Sequence, residues 1–166
     1  MSVESASSFF IPGSVVWDLE STEKEAAIRE TILRSTPFHR VKNLDVVRFI
    51  TSVLTREREQ STGFGRGIAI AHGRDEAIPT STVALGISRR GIEFDSFDGH
   101  PVHLLFIVGS HPDRQIDYLR ILSSLATLAH DERFRSELMN CLGAEDAQRK
   151  VCVAFDGVLL QRPYAR

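Results

Sequence analysis

The segment Val102-His103-Leu104-Leu105-Phe106-Ile107-Val108 is apolar with a single interruption. A strand with one wet face alternates apolar and polar residues, so a run like this is expected where both faces are covered. Two further β-rich segments precede it, Ile68-Ala69-Ile70-Ala71 and Thr82-Val83-Ala84-Leu85-Gly86-Ile87, and Val15-Val16-Trp17 is a short candidate strand. Between Ile87 and Val102, Arg89-Arg90-Gly91 and Asp98-Gly99 read as turns.

Helical patterns surround these strands. Thr22-Glu23-Lys24-Glu25 has the form of a capping box, a hydroxyl with a glutamate three residues on. Ala26, Ala27, Ile28, Ile32 and Leu33 then form a helical stripe that ends near Ser35, ahead of Pro37. A second helix is predicted from Leu44 to about Arg58, burying Val46, Val47, Phe49, Ile50, Val53 and Leu54. After His111-Pro112-Asp113, the spacing of Ile116, Leu119, Leu122, Leu125 and Leu128 predicts a long helix, and a further turn or two covers Phe134, Leu138 and Met139. The last segment has strand composition at Val151–Phe155, but Ala147, Val151, Ala154, Phe155, Val158 and Leu159 share one helical face, which predicts helix. The expected whole is one mixed domain over 13–160, helices around a small sheet. An amino-terminal arm, 1–12, lays Phe9, Phe10 and Ile11 on the body, and 161–166 forms a tail.

The 166 residues suit one domain. With 42% hydrophobic and 25% charged residues the composition is globular, which excludes intrinsic disorder. The formal net charge is −2 with no basic stripe, so nucleic acid is not an expected partner. No apolar run approaches the roughly 20 residues of a membrane span, and the amino terminus lacks the pattern of a secretory signal. Cys141 and Cys152 are too few for a disulfide framework and are expected as reduced thiols in a cytoplasmic protein.

Among the six histidines, His39, His100 and His130 sit beside turns or charges and read as ordinary solvated or structural residues. His100 and His103, three apart, would point to opposite faces of a strand, which argues against a shared metal. Neither a nucleophile elbow nor a dinucleotide or Walker fingerprint is present. His72 differs in its setting, at the end of a short buried strand, beside Gly73 and after the glycine-rich Gly63–Gly67. Ligands of open α/β sheets bind at such strand ends. Arg56, Arg58 and Arg74 lie nearby in sequence. A neutral imidazole among cations suits a group that accepts a phosphoryl and holds its charge, and equally suits an anion site without chemistry.

The stretch Ser61-Thr62-Gly63-Phe64-Gly65-Arg66-Gly67-Ile68-Ala69-Ile70-Ala71-His72-Gly73-Arg74 resembles the phosphorylation motif of enzyme IIA domains of the phosphotransferase system, fructose/mannitol class, which includes the nitrogen-regulatory, PtsN-like members. The resemblance continues through Val83–Ile87, Gly91–Phe94, Asp98–Phe106 and Tyr118–Ser123, and covers nearly the whole chain. It implies an α/β fold with a single mixed sheet of about five strands flanked by helices on both faces. It implies that His72 takes a phosphoryl group from the phosphohistidine of an HPr-like phosphocarrier, with no cofactor or metal, because donor and product are both phosphoramidates.

By its place before the Ser-Thr-Gly segment, Arg56 matches the family's active-site arginine; a solvated last-turn arginine is the competing reading. Ser61, Thr62, Gly73 and Arg74 are candidates to touch the phosphoryl group or the partner protein. The family usually has proline where Ala71 stands, and a second active-site histidine near the start of the long helix, a position assigned here to Gln115; His111, one turn earlier, reads either as an ordinary loop histidine or as its substitute. Downstream, the resemblance implies either a regulated partner protein or a IIB-like acceptor. The alternatives are a sugar-specific IIA component and an interaction module that is never phosphorylated.

Overall fold

A computed structural model describes residues 9–161. The predicted tail beyond 161 and residues 1–8 of the predicted arm lie outside the described residues. Five strands form one mixed sheet in the order β1-β4-β5-β3-β2. They are β1 (Val15–Trp17), β2 (Gly63–Gly65), β3 (Ile68–Arg74), β4 (Thr82–Ile92) and β5 (Val102–Ser110). β1 runs parallel to β4 and β3 parallel to β5, while the β4–β5 and β2–β3 pairs are antiparallel.

The helices are α1 (Lys24–Arg34), α2 (Val46–Glu59), α3 (Gln115–Ala129), α4 (Glu132–Met139) and α5 (Ala144–Gln161). They cover both faces of the sheet, as the strand composition requires. Alternation along the strands divides the apolar residues between two cores. Ile68 and Ile70 of β3, with Leu104, Phe106 and Val108 of β5, meet α3, α4 and α5 through Ile121, Leu125, Phe134, Leu138 and Phe155. Ala69 and Ala71, with Leu105 and Ile107, face the other way onto Ala27, Ile28 and Ile32 of α1 and Phe49, Ile50 and Val53 of α2. Phe9 and Phe10 are buried in the first core, where the expected arm lays them.

Two local expectations need correction. The capping box at Thr22 does not form: α1 begins at Lys24 with Glu23 as its cap and no side-chain cap bond. The Thr22 carbonyl instead accepts from the Glu93 backbone N–H, 2.9 Å, so pairing with the end of β4 fixes the chain entry in place of a hydroxyl cap. Arg89-Arg90-Gly91 is no turn. β4 runs on to Ile92 with its register to β5 shifted between Ile87 and Ile92, and the Gly91 N–H donates to Ser88 Oγ at 3.0 Å. The glycine-rich Gly63–Gly67 contains a strand, β2, hairpinned onto β3. The turn is made with Gly65, Arg66 and Gly67 at φ of 93°, 57° and 80°, conformations that two glycines permit at no steric cost. α2 begins at Val46, two residues after the predicted start, with Asp45 as its cap accepting from the Arg48 N–H at 3.0 Å.

Candidate functional site

β3 and β5 are parallel and end together, with Arg74 registered on Ser110 and His72 on Val108. β5 leads through His111–Arg114 into α3. His72 shares the parity of Ile68 and Ile70 and so projects toward α3. There its ring meets that of Tyr118, with centroids 5.3 Å apart and planes 58° apart. Two residues along the same face, the Arg74 guanidinium lies 5.5 Å from the centre of the Tyr118 ring. Gly73 points the other way, into α2. A β-carbon there would come within 2.7 Å of Ser52 Oγ and 2.8 Å of Val53 Cγ2, so the glycine lets β3 and α2 approach.

The His72 imidazole is half-buried. Its Nδ1 is sealed from solvent and makes no hydrogen bond of standard geometry. That leaves Nε2 as the ring nitrogen able to face outward. Burial pushes the His72 pKa below the ordinary imidazole value, and the charge of Arg56 pushes it further down; the Ile70 backbone acts the other way and outweighs the smaller lowering by Arg74, and the Glu57 carboxylate raises it least of all. The ring is therefore neutral near pH 7, and a neutral ring has the lone pair a nucleophile needs. Arg56, in the last turn of α2, also donates from Nη1 to the Gln60 carbonyl at 3.0 Å. Its partner in sequence, Glu57, is 3% exposed. Glu57 pairs with Lys24 Nζ at 3.2 Å and accepts from both the backbone N–H, 2.8 Å, and the hydroxyl of Thr62.

The predicted site residues thus divide. His72, Arg56 and Arg74 form one electrostatic cluster. Ser61 and Thr62 spend their hydroxyl protons inside the loop: Ser61 donates to the Phe94 carbonyl at 2.9 Å, Thr62 to Glu57. His111 is half-buried and its Nδ1 accepts from the Asp113 N–H at 3.0 Å. Gln115 is exposed as the first residue of α3, where it lines a shallow hollow with Asp113, Arg114, Ile116 and Asp117. The α3 side chain in contact with His72 is Tyr118, one turn further on, a residue that sequence reasoning passed over. Its signal was its place on the buried stripe with Ile121 and Leu125, combined with the strand parity of His72.

His103 sits on β5 with Nδ1 2.8 Å from the Ser88 carbonyl oxygen, whereas His100 precedes the strand, so the opposite-face argument for that pair does not apply. Among the described residues no group of three His, Cys, Asp or Glu side chains is placed to hold a metal.

The family model for the phosphoenolpyruvate-dependent sugar phosphotransferase system, EIIA 2, matches residues 8–151. A PTS system fructose-specific EIIABC component of Bacillus subtilis is 34% identical over 131 residues, 78% of this chain and 20% of that protein. A PTS system fructose-specific EIIA component of Haloferax volcanii is 34% identical over 125 residues, 75% of this chain and 80% of that protein. The chain therefore spans about a fifth of the first relative and most of the second. Among solved structures, the nitrogen regulatory protein IIA-Ntr of Neisseria meningitidis superposes with a TM-score of 0.76 at 30% identity, covering 84% of this chain and 93% of that one. Enzyme IIAMTL of Escherichia coli, in complex with phosphorylated enzyme IIBMTL, shares the fold at a TM-score of 0.69 and 18% identity, covering 88% and 96%.

Proposed function

This chain belongs to the EIIA 2 family of the phosphoenolpyruvate-dependent sugar phosphotransferase system, and we propose that it accepts a phosphoryl group on His72 from the phosphohistidine of an HPr-like carrier. The observation that carries the reading is the His72 ring itself. It stands at the end of a buried strand with Nδ1 enclosed, and burial, Arg56 and Arg74 keep it neutral.

In the proposed step, the Nε2 lone pair attacks phosphorus while the donor's N–P bond breaks and its electron pair returns to the donor nitrogen. Both bonds are phosphoramidate, so no nucleotide or metal is needed to drive the exchange. The transition state is loose and its charge lies on the equatorial oxygens, so catalysis is positioning and charge stabilisation. Arg56 and Arg74 are the cations near enough to the ring to supply that charge. Ser61, Thr62 and Gly73 act by shaping the loop and the close β3–α2 packing. His111 and Gln115, before and at the start of α3, are assigned to contact with partner proteins.

Relatives carry both fructose-specific and nitrogen regulatory names. We favour a nitrogen-type regulatory role, supported by the likeness to IIA-Ntr over most of both chains, in which the phosphorylation state selects the protein bound downstream. The fructose-specific relatives support transfer to a IIB-like acceptor as the second reading. The reading places the chain in the cytoplasm with the carrier; no helix among the described residues is long and apolar enough to cross a membrane.

Incubation with phosphorylated HPr-like carrier should add one phosphoryl group by intact mass, acid-labile and alkali-stable, and His72→Ala should remove it. Label that survives His72→Ala refutes the site. A folded protein that no carrier labels is the interaction module instead. Onward passage of the label to a IIB-like protein would favour sugar transfer over regulation.

A further inference from the structure

We propose that Tyr118 is a positioning residue for His72: its buried ring fixes the imidazole plane, so that Nε2 and not Nδ1 meets the incoming phosphoryl group. The inference rests on His72 being the phosphoryl acceptor.

Histidine has no intrinsic lock on its outer torsion, because rotation about a bond to a planar ring is broad and roughly two-fold. A half-turn of the imidazole exchanges the places of ring nitrogens and ring carbons. Most functional histidines prevent this with a hydrogen bond at the second nitrogen. In this protein Nδ1 is buried and lacks one of standard geometry; the Ile70 backbone acts on the ring, and packing supplies the rest of the restraint. The packing surface is the Tyr118 ring, 5.3 Å away and inclined at 58°.

Tyr118 is itself held firmly. It is 5% exposed, it lies on the buried stripe of α3, and the Arg74 guanidinium sits over its ring at 5.5 Å. Cation and ring attract through the ring quadrupole, which also parks a positive charge next to the imidazole. Burial raises the phenol pKa, so Tyr118 adds no charge to the site in the range where imidazole titrates. The charged and titratable groups acting on His72 are then Arg56 and Glu57 from α2 and Arg74 from β3, with the neutral phenol from α3 and Val108 from β5.

The test uses phosphoramidate, a small donor that needs no docking surface, alongside the phosphorylated carrier. Wild-type protein should give phosphohistidine at Nε2 alone by 31P NMR. Tyr118→Phe keeps the ring and should match wild type in regiochemistry and, within about twofold, in rate. Tyr118→Leu should yield a mixture of Nε2 and Nδ1 adducts, slow transfer by roughly tenfold to a hundredfold and move the His72 titration up toward the ordinary imidazole value. Leu128→Ala, a buried change elsewhere on α3, controls for lost stability and should leave all three readouts at wild type.

Retained Nε2 selectivity in Tyr118→Leu overturns the proposal. So does a loss in Tyr118→Phe equal to that in Tyr118→Leu, which would assign the effect to the hydroxyl. A wild-type protein labelled by neither donor would refute the proposed function. The His72 ring titration requires no phosphate, and a titration unmoved in Tyr118→Leu would overturn the packing role of Tyr118 whether or not either donor labels the protein.

Discussion

The charges of Arg56 and Arg74 act on one imidazole from different elements, and both disfavour its protonated form. Removing either cation must therefore raise the His72 pKa, the larger rise coming from Arg56, whose effect is the greater of the two. Arg56→Gln should shift the low-pH limb of phosphoryl acceptance to higher pH and also slow the plateau rate by roughly a hundredfold, since a donor to the developing charge is lost; rate against pH checks both parts. The same depression has a consequence for stability. The folded pKa lies below the unfolded value of ~6.5, so the unfolded chain binds more protons between the two. Stability owed to His72 is constant above about pH 6.5 and falls as pH drops toward the folded pKa. Below about pH 6.5 wild type should lose stability relative to His72→Gln, and urea titrations should show a constant difference between the two above neutrality. The grouping of His72 with two cations was legible in the sequence because a histidine ending an apolar strand and arginines at element ends are local patterns. Tyr118 was not: an aromatic residue at helical spacing reads as core, and its contact depends on how α3 lies across β3. Gln115 follows from nearness to the helix start, but the first turn of α3 points outward.

Between elements, the site depends on how the end of α2 is tied to β2 and β3. Glu57 makes that tie from the last turn of α2 through Lys24 of α1 and both polar groups of Thr62. Glu57→Ala leaves a buried N–H without an acceptor and should cost about 2–3 kcal/mol, less than a fully buried pair because Lys24 can rehydrate; the urea midpoint measures it. Gly73→Ala acts on the other side of the same packing. A methyl 2.7 Å from Ser52 Oγ and 3.1 Å from Phe49 Cε2 forces α2 away from β3 at about 1–3 kcal/mol, and carries Arg56 with it. The expected result is slower phosphoryl acceptance with the His72 pKa moved upward, read by NMR titration. The long elements were legible where one periodicity ran uninterrupted, as in α2, α3, β5 and the ambiguous α5. Legibility failed where a distant partner overrode local chemistry. Thr22 is taken by Glu93, Arg89–Gly91 is drawn on as strand beside β5, and the glycines of β2 pair with β3.

The whole molecule is a sheet walled on both sides, and β5 feels both walls. Its even-numbered residues Leu104, Phe106 and Val108 belong to one core and its odd-numbered residues Leu105 and Ile107 to the other. This accounts for the nearly continuous apolar run from which the two-sided fold follows. The first core is closed by the chain's amino-terminal segment. Phe10 packs edge-on against Phe155 at 5.3 Å and Phe106 at 6.4 Å. The Gln148 side-chain amide donates to the Phe10 carbonyl at 3.1 Å, and the Val83 N–H donates to the Phe9 carbonyl at 3.2 Å. Residues 9–11 are thus part of the domain's packing even though the sequence places them in an arm. Phe10→Ala opens a cavity between β5 and α5 and should cost about 3–5 kcal/mol, a large share of the roughly 5–15 kcal/mol that holds a domain folded. Phe10 packs its ring on Phe106 and Phe155, so the expected loss is one of global stability. The unfolding midpoint should fall by several degrees, while the rate of phosphoryl acceptance per folded molecule, measured well below that midpoint, stays at the wild-type value. A slowed rate in the still-folded variant would mean that the amino-terminal segment sets the site geometry through β4 and β5, and would move it from the fold's closure into its function.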